Sequence, residues 1–194
     1  MIGNEHGQAY TLEAFIASLL LISSLTFALQ VTAVTPLSAS TANQHIENQQ
    51  RSSAAGALVS ADQQNVLKPA VLYWNDTEGQ FHNPERGEYY TNTYPDNGFG
   101  DILNRSFAGR GLAVNVLVHT EGNSRPQRMV YNGQPSDNAA SASRTVTIYD
   151  GDWLRDENNT RSKRVSNASF YADDEHGNSL VYNVVRVEVT VWRM

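Results

Sequence analysis

The sequence predicts an α+β protein: a long N-terminal helix, membrane-spanning in its first half, followed by an antiparallel β-sheet head. Three observations predict it. The chain opens on an apolar run, "AYTLEAFIASLLLISSLTFALQVTAV", whose only charge is Glu13. A second stretch, from about Ser38, repeats small and apolar residues at three- and four-residue steps. The C-terminal half then alternates apolar and polar residues with a period of two, most clearly in "VYNVVRVEVTVWRM". A helix followed by a run of strands, without alternation of the two, is an α+β order.

The leading residues 1–7, "MIGNEHG", form a polar leader with no Lys or Arg. Residues 8–37 read as the membrane and assembly helix. The uncharged stretch from Ala14 to Val34 would span roughly 31 Å as a helix, close to a hydrocarbon core of about 30 Å. Ser18, Ser23, Ser24 and Thr26 dilute its hydropathy, and their hydroxyls can bond back to helix carbonyls or to a neighbouring helix. Pro36 removes one helix hydrogen bond and is expected to kink the chain where it leaves the bilayer.

Residues 38–70 read as an amphipathic extension of the helix. Ile46, Ala54, Ala57, Leu58 and Ala61 form a stripe of small apolar side chains suited to lying on a sheet, and Lys68-Pro69 is expected to end or bend it. Residues 71–194 form the head. From Asn75 to Gly100 dense turn residues predict a loop. Its rings, Tyr89, Tyr90, Tyr94 and Phe99, either make an adhesive surface or pack down over the domain edge. Asp101 to Ala108 reads as a short helix. "LAVNVLVHT", "QRMVYNG" and "RTVTIYD" read as strands, with Leu112, Val114, Val116 and Val118 on one face and Val146 and Ile148 pointing inward. In the last strand Val185, Val187, Val189 and Val191 alternate with Arg186, Glu188, Thr190 and Trp192. "SFYADDEHGNSLVY" reads as a hairpin turning at Asp174 to Gly177. The 38–67 helix is expected to cover one sheet face and to leave the other polar and wet.

Composition narrows the function. Cysteine is absent, so there is no disulfide framework, thiolate metal site or thiol nucleophile. The net charge is −6, and Lys68 and Lys163 are the only lysines beside twelve arginines. An acidic, Asn/Ser/Thr-rich body with scarce lysine resembles proteins of salt-loving archaea, and it argues against a nucleic-acid partner. The histidines His6, His45, His82, His119 and His176 are scattered, with no i, i+4 metal pair. Asp150-Gly151-Asp152 and Asp173-Asp174-Glu175 offer oxygen ligands of the kind Ca²⁺ takes, or are simply solvated turns. No catalytic motif stands in a usable context, so a non-enzymatic protein without cofactor or metal is expected. Asn-x-Ser/Thr sequons at Asn75, Asn104, Asn158 and Asn167 permit glycosylation if the head is exported.

Three readings compete for the apolar run. A cleaved secretory signal wants a basic leader and an apolar run of about 7–15 residues; this leader lacks the charge and this run is longer. An ordinary signal anchor explains the run but not Glu13. The third reading comes from the residues themselves. "GQAYTLEAF" resembles the start of type IV pilin-like proteins, closest in character to the haloarchaeal ones: a short polar leader, Gly7 or Ala9 at the cut position, Tyr10-Thr11-Leu12, then the acid Glu13 and an apolar helix. Glu5 and His6 stand where the family usually has Lys or Arg, and Glu13 is fifth only after a cut at Gln8. The resemblance implies processing at Gly7, Gln8 or Ala9 by a pilin-type signal peptidase. It also implies assembly with other pilin-like subunits by a membrane platform and ATPase, and an outer head domain.

A carboxylate in a membrane helix costs roughly 2.5–3.5 kcal/mol at the centre and less near an end. The resemblance implies that Glu13 pairs with a mature N-terminal amine, its own or a neighbour's; the alternative is that it snorkels to the headgroups. Ala14, Ala17, Ser18 and Ser24 would let neighbouring helices approach closely. The expected function is therefore a pilin-like subunit of a surface filament or secretion pseudopilus. The rival is an unassembled, single-pass anchored surface or binding protein.

Overall fold

The computed structural model describes residues 5–85, 87–175 and 177–194, with side-chain surroundings for residues 10–30 and from residue 44 onward. Residues 1–4 of the expected leader lie outside the described residues. The chain divides into two compact units, Met1–His45 and Ile46–Met194.

The first element, α1 (Glu5–Gln63), supplies the first unit and enters the second. It continues through Pro36, although a proline inside a helix removes a hydrogen bond at a cost of about 3 kcal/mol. It ends earlier than the expected Lys68-Pro69 stop. Asn65 takes a left-handed backbone, φ 56°, and reverses the chain just past Gln63. Lys68 and Pro69 instead open a new short helix, α2 (Leu67–Val71). Pro69 is tolerated in its first turn because the N–H it lacks would have no intrahelical acceptor there.

In the head, β1 (Trp74–Asn75) and β2 (Gln80–Phe81) pair antiparallel within the stretch expected to be loop. Asn75 Oδ1 accepts from the N–H groups of Thr77 and Glu78 at 3.0 and 3.1 Å, which closes the turn between them. Next comes α3 (Gly98–Phe107), longer than expected at its start. Asn97 caps it, its side chain accepting from Phe99 and Gly100 N–H, both at 3.1 Å.

Six further strands follow among the described residues: β3 (Leu112–His119), β4 (Gln127–Val130), β5 (Ala140–Tyr149) and β8 (Val181–Arg193) in one sheet, and β6 (Trp153–Arg155) and β7 (Arg161–Arg164) apart from it. Strictly, β6 and β7 form their own two-stranded ladder, and the main sheet is antiparallel with order β4-β3-β8-β5. Register puts Val114 opposite Val191, Val116 opposite Val189, Val118 opposite Val187 and Val146 opposite Val185. The alternation read from sequence thus becomes one continuous valine face. Ala54, Ala57, Leu58 and Ala61 of α1 join it in a single core with Ile102, Leu103 and Phe107 of α3. The small alanines let the helix lie close, and Arg144, on the same face of edge strand β5, reaches Asp62 of α1 at 2.5 Å.

Two expectations for the head are corrected, and one open alternative is resolved. The second sheet face is not uniformly wet: Asn115 and Thr190 are buried, and the 131–139 segment crosses them. Asn115 Nδ2 donates to Gly133 O at 2.9 Å and its Oδ1 accepts from Asn132 N–H at 2.8 Å. The 169–182 stretch is no two-stranded hairpin. Glu175 N–H donates to Tyr182 O, but the incoming arm is irregular and packs rings instead: Trp74 meets Phe81 at 5.3 Å and Tyr171 at 4.9 Å. The rings of the 75–100 loop pack down. Phe99 and Tyr90 are buried, Tyr94 packs against the core, and Tyr89 sits edge-on to Tyr131 at 5.6 Å. Burial, with Tyr73 and Asp96 nearby, holds the Tyr90 phenol above its ordinary range, and it donates to His82 O.

Two glycines separate steric need from tolerance. A Cβ on Gly100 would stand 1.8 Å from Pro95 O, whereas one on Gly56, exposed in α1, meets nothing within 4 Å. Gly100→Ala is expected to cost about 2 kcal/mol or more, and Gly56→Ala to stabilise by up to about 1 kcal/mol. Urea unfolding of the detergent-solubilised chain, followed by tryptophan fluorescence, checks both.

Candidate functional site in the N-terminal helix

Leucine is the commonest residue in 10–30, and leucine and the three alanines there are strong helix formers. The hydroxyls that would otherwise burden an apolar helix are mostly satisfied locally. Ser18 Oγ donates to Phe15 O at 2.8 Å and Ser23 Oγ to Leu19 O at 2.7 Å. Thr26 Oγ1 lies 3.0 Å from Ile22 O and 2.9 Å from Ser23 O. Ser18 and Ser23 therefore keep their polarity inside the helix surface, as membrane helices require.

Tyr10–Gln30 is long and apolar enough to cross a membrane, with a mean hydropathy of 2.0, and none of it is buried within the chain. Phe15, Leu20, Leu21, Phe27 and their apolar neighbours all stand open, with Leu21 at 71 % exposure. The head, by contrast, completes its own core.

At about 100° per residue, Ala14, Ala17 and Ser24 fall within one arc roughly 80° wide, and Ser18 lies about 40° beyond it. Ala28 falls on the same arc between them. The sequence reading passed over it, although the Ala17–Leu21–Ser24–Ala28 spacing of four, three and four carries the signal. Glu13 lies at the border of this stripe, one turn from Ala17, and is exposed. Gly7, Gln8 and Ala9 are in the helical backbone of α1, with their side-chain surroundings outside the described residues, as is the terminal amine that would pair with Glu13.

The remaining candidates are scattered over the head. Asn104, Asn158 and Asn167 are exposed; Asn75 is partly buried and its side chain holds the β1–β2 turn. Asp152 pairs with Lys68 at 2.5 Å and accepts from Tyr149 N–H at 2.8 Å, so it locks a turn onto α2. Among the described residues no three His, Asp or Glu side chains converge as a metal site. The functional candidates brought together are thus the helical ones.

The chain matches, over residues 6–191, a family described as of unknown function, DUF7288, and it belongs to that family. The matched span takes in both the apolar helix and the head. No curated protein matches the chain, and no solved structure matches it.

Because the continuous uncovered apolar surface among the described residues lies in the first unit, with only Val59, Tyr149, Leu180 and Met194 exposed singly in the second, a chain starting at Ile46 is expected to stay in the aqueous phase of a Triton X-114 separation. The full chain is expected in the detergent phase. Immunoblotting of the two phases checks this.

Proposed function

We propose that this member of the family is a membrane-anchored, pilin-like structural subunit. It assembles through α1 into a surface filament or secretion-type pseudopilus and displays the head outside the cell. The observation that carries the reading is the Tyr10–Gln30 surface: apolar, unburied within the chain, and bearing a single carboxylate, Glu13, near its start.

An ordinary anchor needs only the apolar length. Placing an acid beside a stripe of small residues costs insertion energy and returns nothing to an isolated helix. In a bundle of such helices both features have a use. Ala14, Ala17 and Ser24 let backbones approach, and van der Waals packing then drives association where lipid offers no hydrophobic gain. Glu13 meets a mature N-terminal amine, its own or a neighbour's, and the two charges offset each other's desolvation. The leader would be removed near Gly7, Gln8 or Ala9 by a pilin-type peptidase, which creates that amine. The role is mechanical, and no residue is assigned to catalysis, to a cofactor or to nucleic acid.

Removing one partner of a buried ion pair costs about 3–5 kcal/mol. Glu13→Gln and Glu13→Ala are therefore expected to lower the subunit in sheared surface material at least about tenfold, with its membrane level unchanged. Quantitative immunoblotting of the sheared and membrane fractions checks this. Undiminished sheared material from both variants would overturn assembly through Glu13 and leave the anchored surface protein.

A further inference from the structure

The head holds a polar cleft that the assembly reading does not use. Its volume is ≈ 600 Å³, inside the range of about 300–1,000 Å³ usual for small-ligand sites. Asn83, Glu85, the 90–96 loop, α3 and the start of β3 form its walls.

The loop is fixed to the sheet. Tyr90 N–H donates to Met129 O and Tyr131 N–H to Tyr90 O, both at 2.9 Å. Asn92 N–H donates to Asn132 Oδ1 at 2.7 Å, and Asn132 Nδ2 to Val114 O at 2.6 Å. The cleft is therefore preformed.

Onto this seat the sequence places polar groups with no work inside the chain. The side-chain amides of Asn83, Asn92 and Asn104 line the cleft, and none has a hydrogen-bond partner among the described residues. The Thr93 hydroxyl is buried at the cleft without a partner. Tyr94, half-buried, packs one side against the core and keeps a hydroxyl with no hydrogen-bond partner among the described residues. Glu85, Asp96 and Asp101 add carboxylates, and no Lys, Arg or His is among the described lining residues.

These groups select a ligand class. Amides both donate and accept, and carboxylates accept from hydroxyls. A tyrosine ring gives a flat apolar surface for a C–H face. Among the described residues an anion would meet three carboxylates and no cation. An apolar ligand would leave the buried Thr93 hydroxyl unsatisfied, at about 1–3 kcal/mol, and would make no use of the exposed amides at the cleft rim. We propose that this cleft binds a neutral, hydroxyl-rich saccharide unit. Asn104 also begins a sequon, Asn104-Arg105-Ser106, so the saccharide comes either from a glycan carried on Asn104 itself or from a separate molecule. The site lies in the head and does not depend on assembly through α1.

The test uses the full chain in a zwitterionic detergent without sugar headgroups. Ser106→Ala abolishes the sequon and keeps the Asn104 amide in place. Saturation-transfer NMR of this variant with maltose, cellobiose, mannobiose and diacetylchitobiose is expected to show binding of at least one at millimolar concentration or below. Tyr94→Ala and, as a milder change, Asp101→Asn are expected to weaken that binding at least tenfold, with the thermal melt reporting that each variant is folded. Glucuronate is expected to bind at least tenfold more weakly than the best neutral sugar. Mass spectrometry of natively produced chain separates the sources. Hexoses on Asn104, with free-sugar binding seen only in Ser106→Ala, assign the chain's own glycan; a bare Asn104 with binding by the unaltered chain assigns a separate saccharide. No binding by folded Ser106→Ala chain, or binding unaffected in both folded cleft variants, overturns the proposal, and so does glucuronate binding as well as any neutral sugar.

Discussion

The rest of the structure depends on an apolar surface that the chain cannot cover. Tyr10, Leu12, Phe15, Ile16, Leu19, Leu20, Leu21, Ile22, Leu25, Phe27 and Leu29 are all exposed on α1. Burying a large apolar side chain is worth about 1.5–3 kcal/mol, so leaving this set in water forgoes on the order of 20 kcal/mol. A whole domain is typically stable by only about 5–15 kcal/mol. The segment therefore needs an apolar environment from outside, either lipid or other helices. The proposed function uses both, lipid before assembly and neighbouring helices after it.

The head solves the opposite problem. It must be self-sufficient in water, and it achieves this with one valine face, an alanine stripe on α1 and a tier of aromatic rings. The transition between the two regimes falls inside one helix. Up to His45 the chain belongs to one compact unit, and from Ile46 to the other. Ala54, Ala57, Leu58 and Ala61 are as apolar as the stripe at Ala14 and Ala17, yet they are buried by the chain's own sheet. What differs is the polarity of the remaining helix surface: Glu47, Arg51 and Asp62 lie around the buried stripe, whereas Ala14 to Gln30 carries no charge at all.

Much of the fold was legible because it rests on local periodicity. The alternation in β3, β5 and β8 appears as the buried valine face, and the three- and four-residue steps of Ala54 to Ala61 appear as the helix side facing it. Two of the misreadings involve contacts between distant residues. Nothing local to Asn115 announces that Asn132 and Gly133 will cover it, and nothing in "SFYADD" shows that its rings are wanted by Trp74 rather than by a strand partner. The early stop of α1 was written in Asn65, a residue that tolerates the left-handed conformation, but the proline nearby gave the louder signal. In the site, Glu13 and its alanines were visible because charge and size patterns are local. The head cleft was not visible, because its amides come together only once Asn83, the 90–96 loop, α3 and β3 are packed.

The central claim is that the apolar helix is an assembly element with a processed end, and the mature N-terminus tests it most directly. Mass spectrometry would be run on the protein from native membranes and from sheared surface material. The account predicts a mature end at Gln8, Ala9 or Tyr10 in both, which creates the amine that Glu13 needs. An intact Met1 or Ile2 in membranes, with no protein in the sheared fraction, would contradict it.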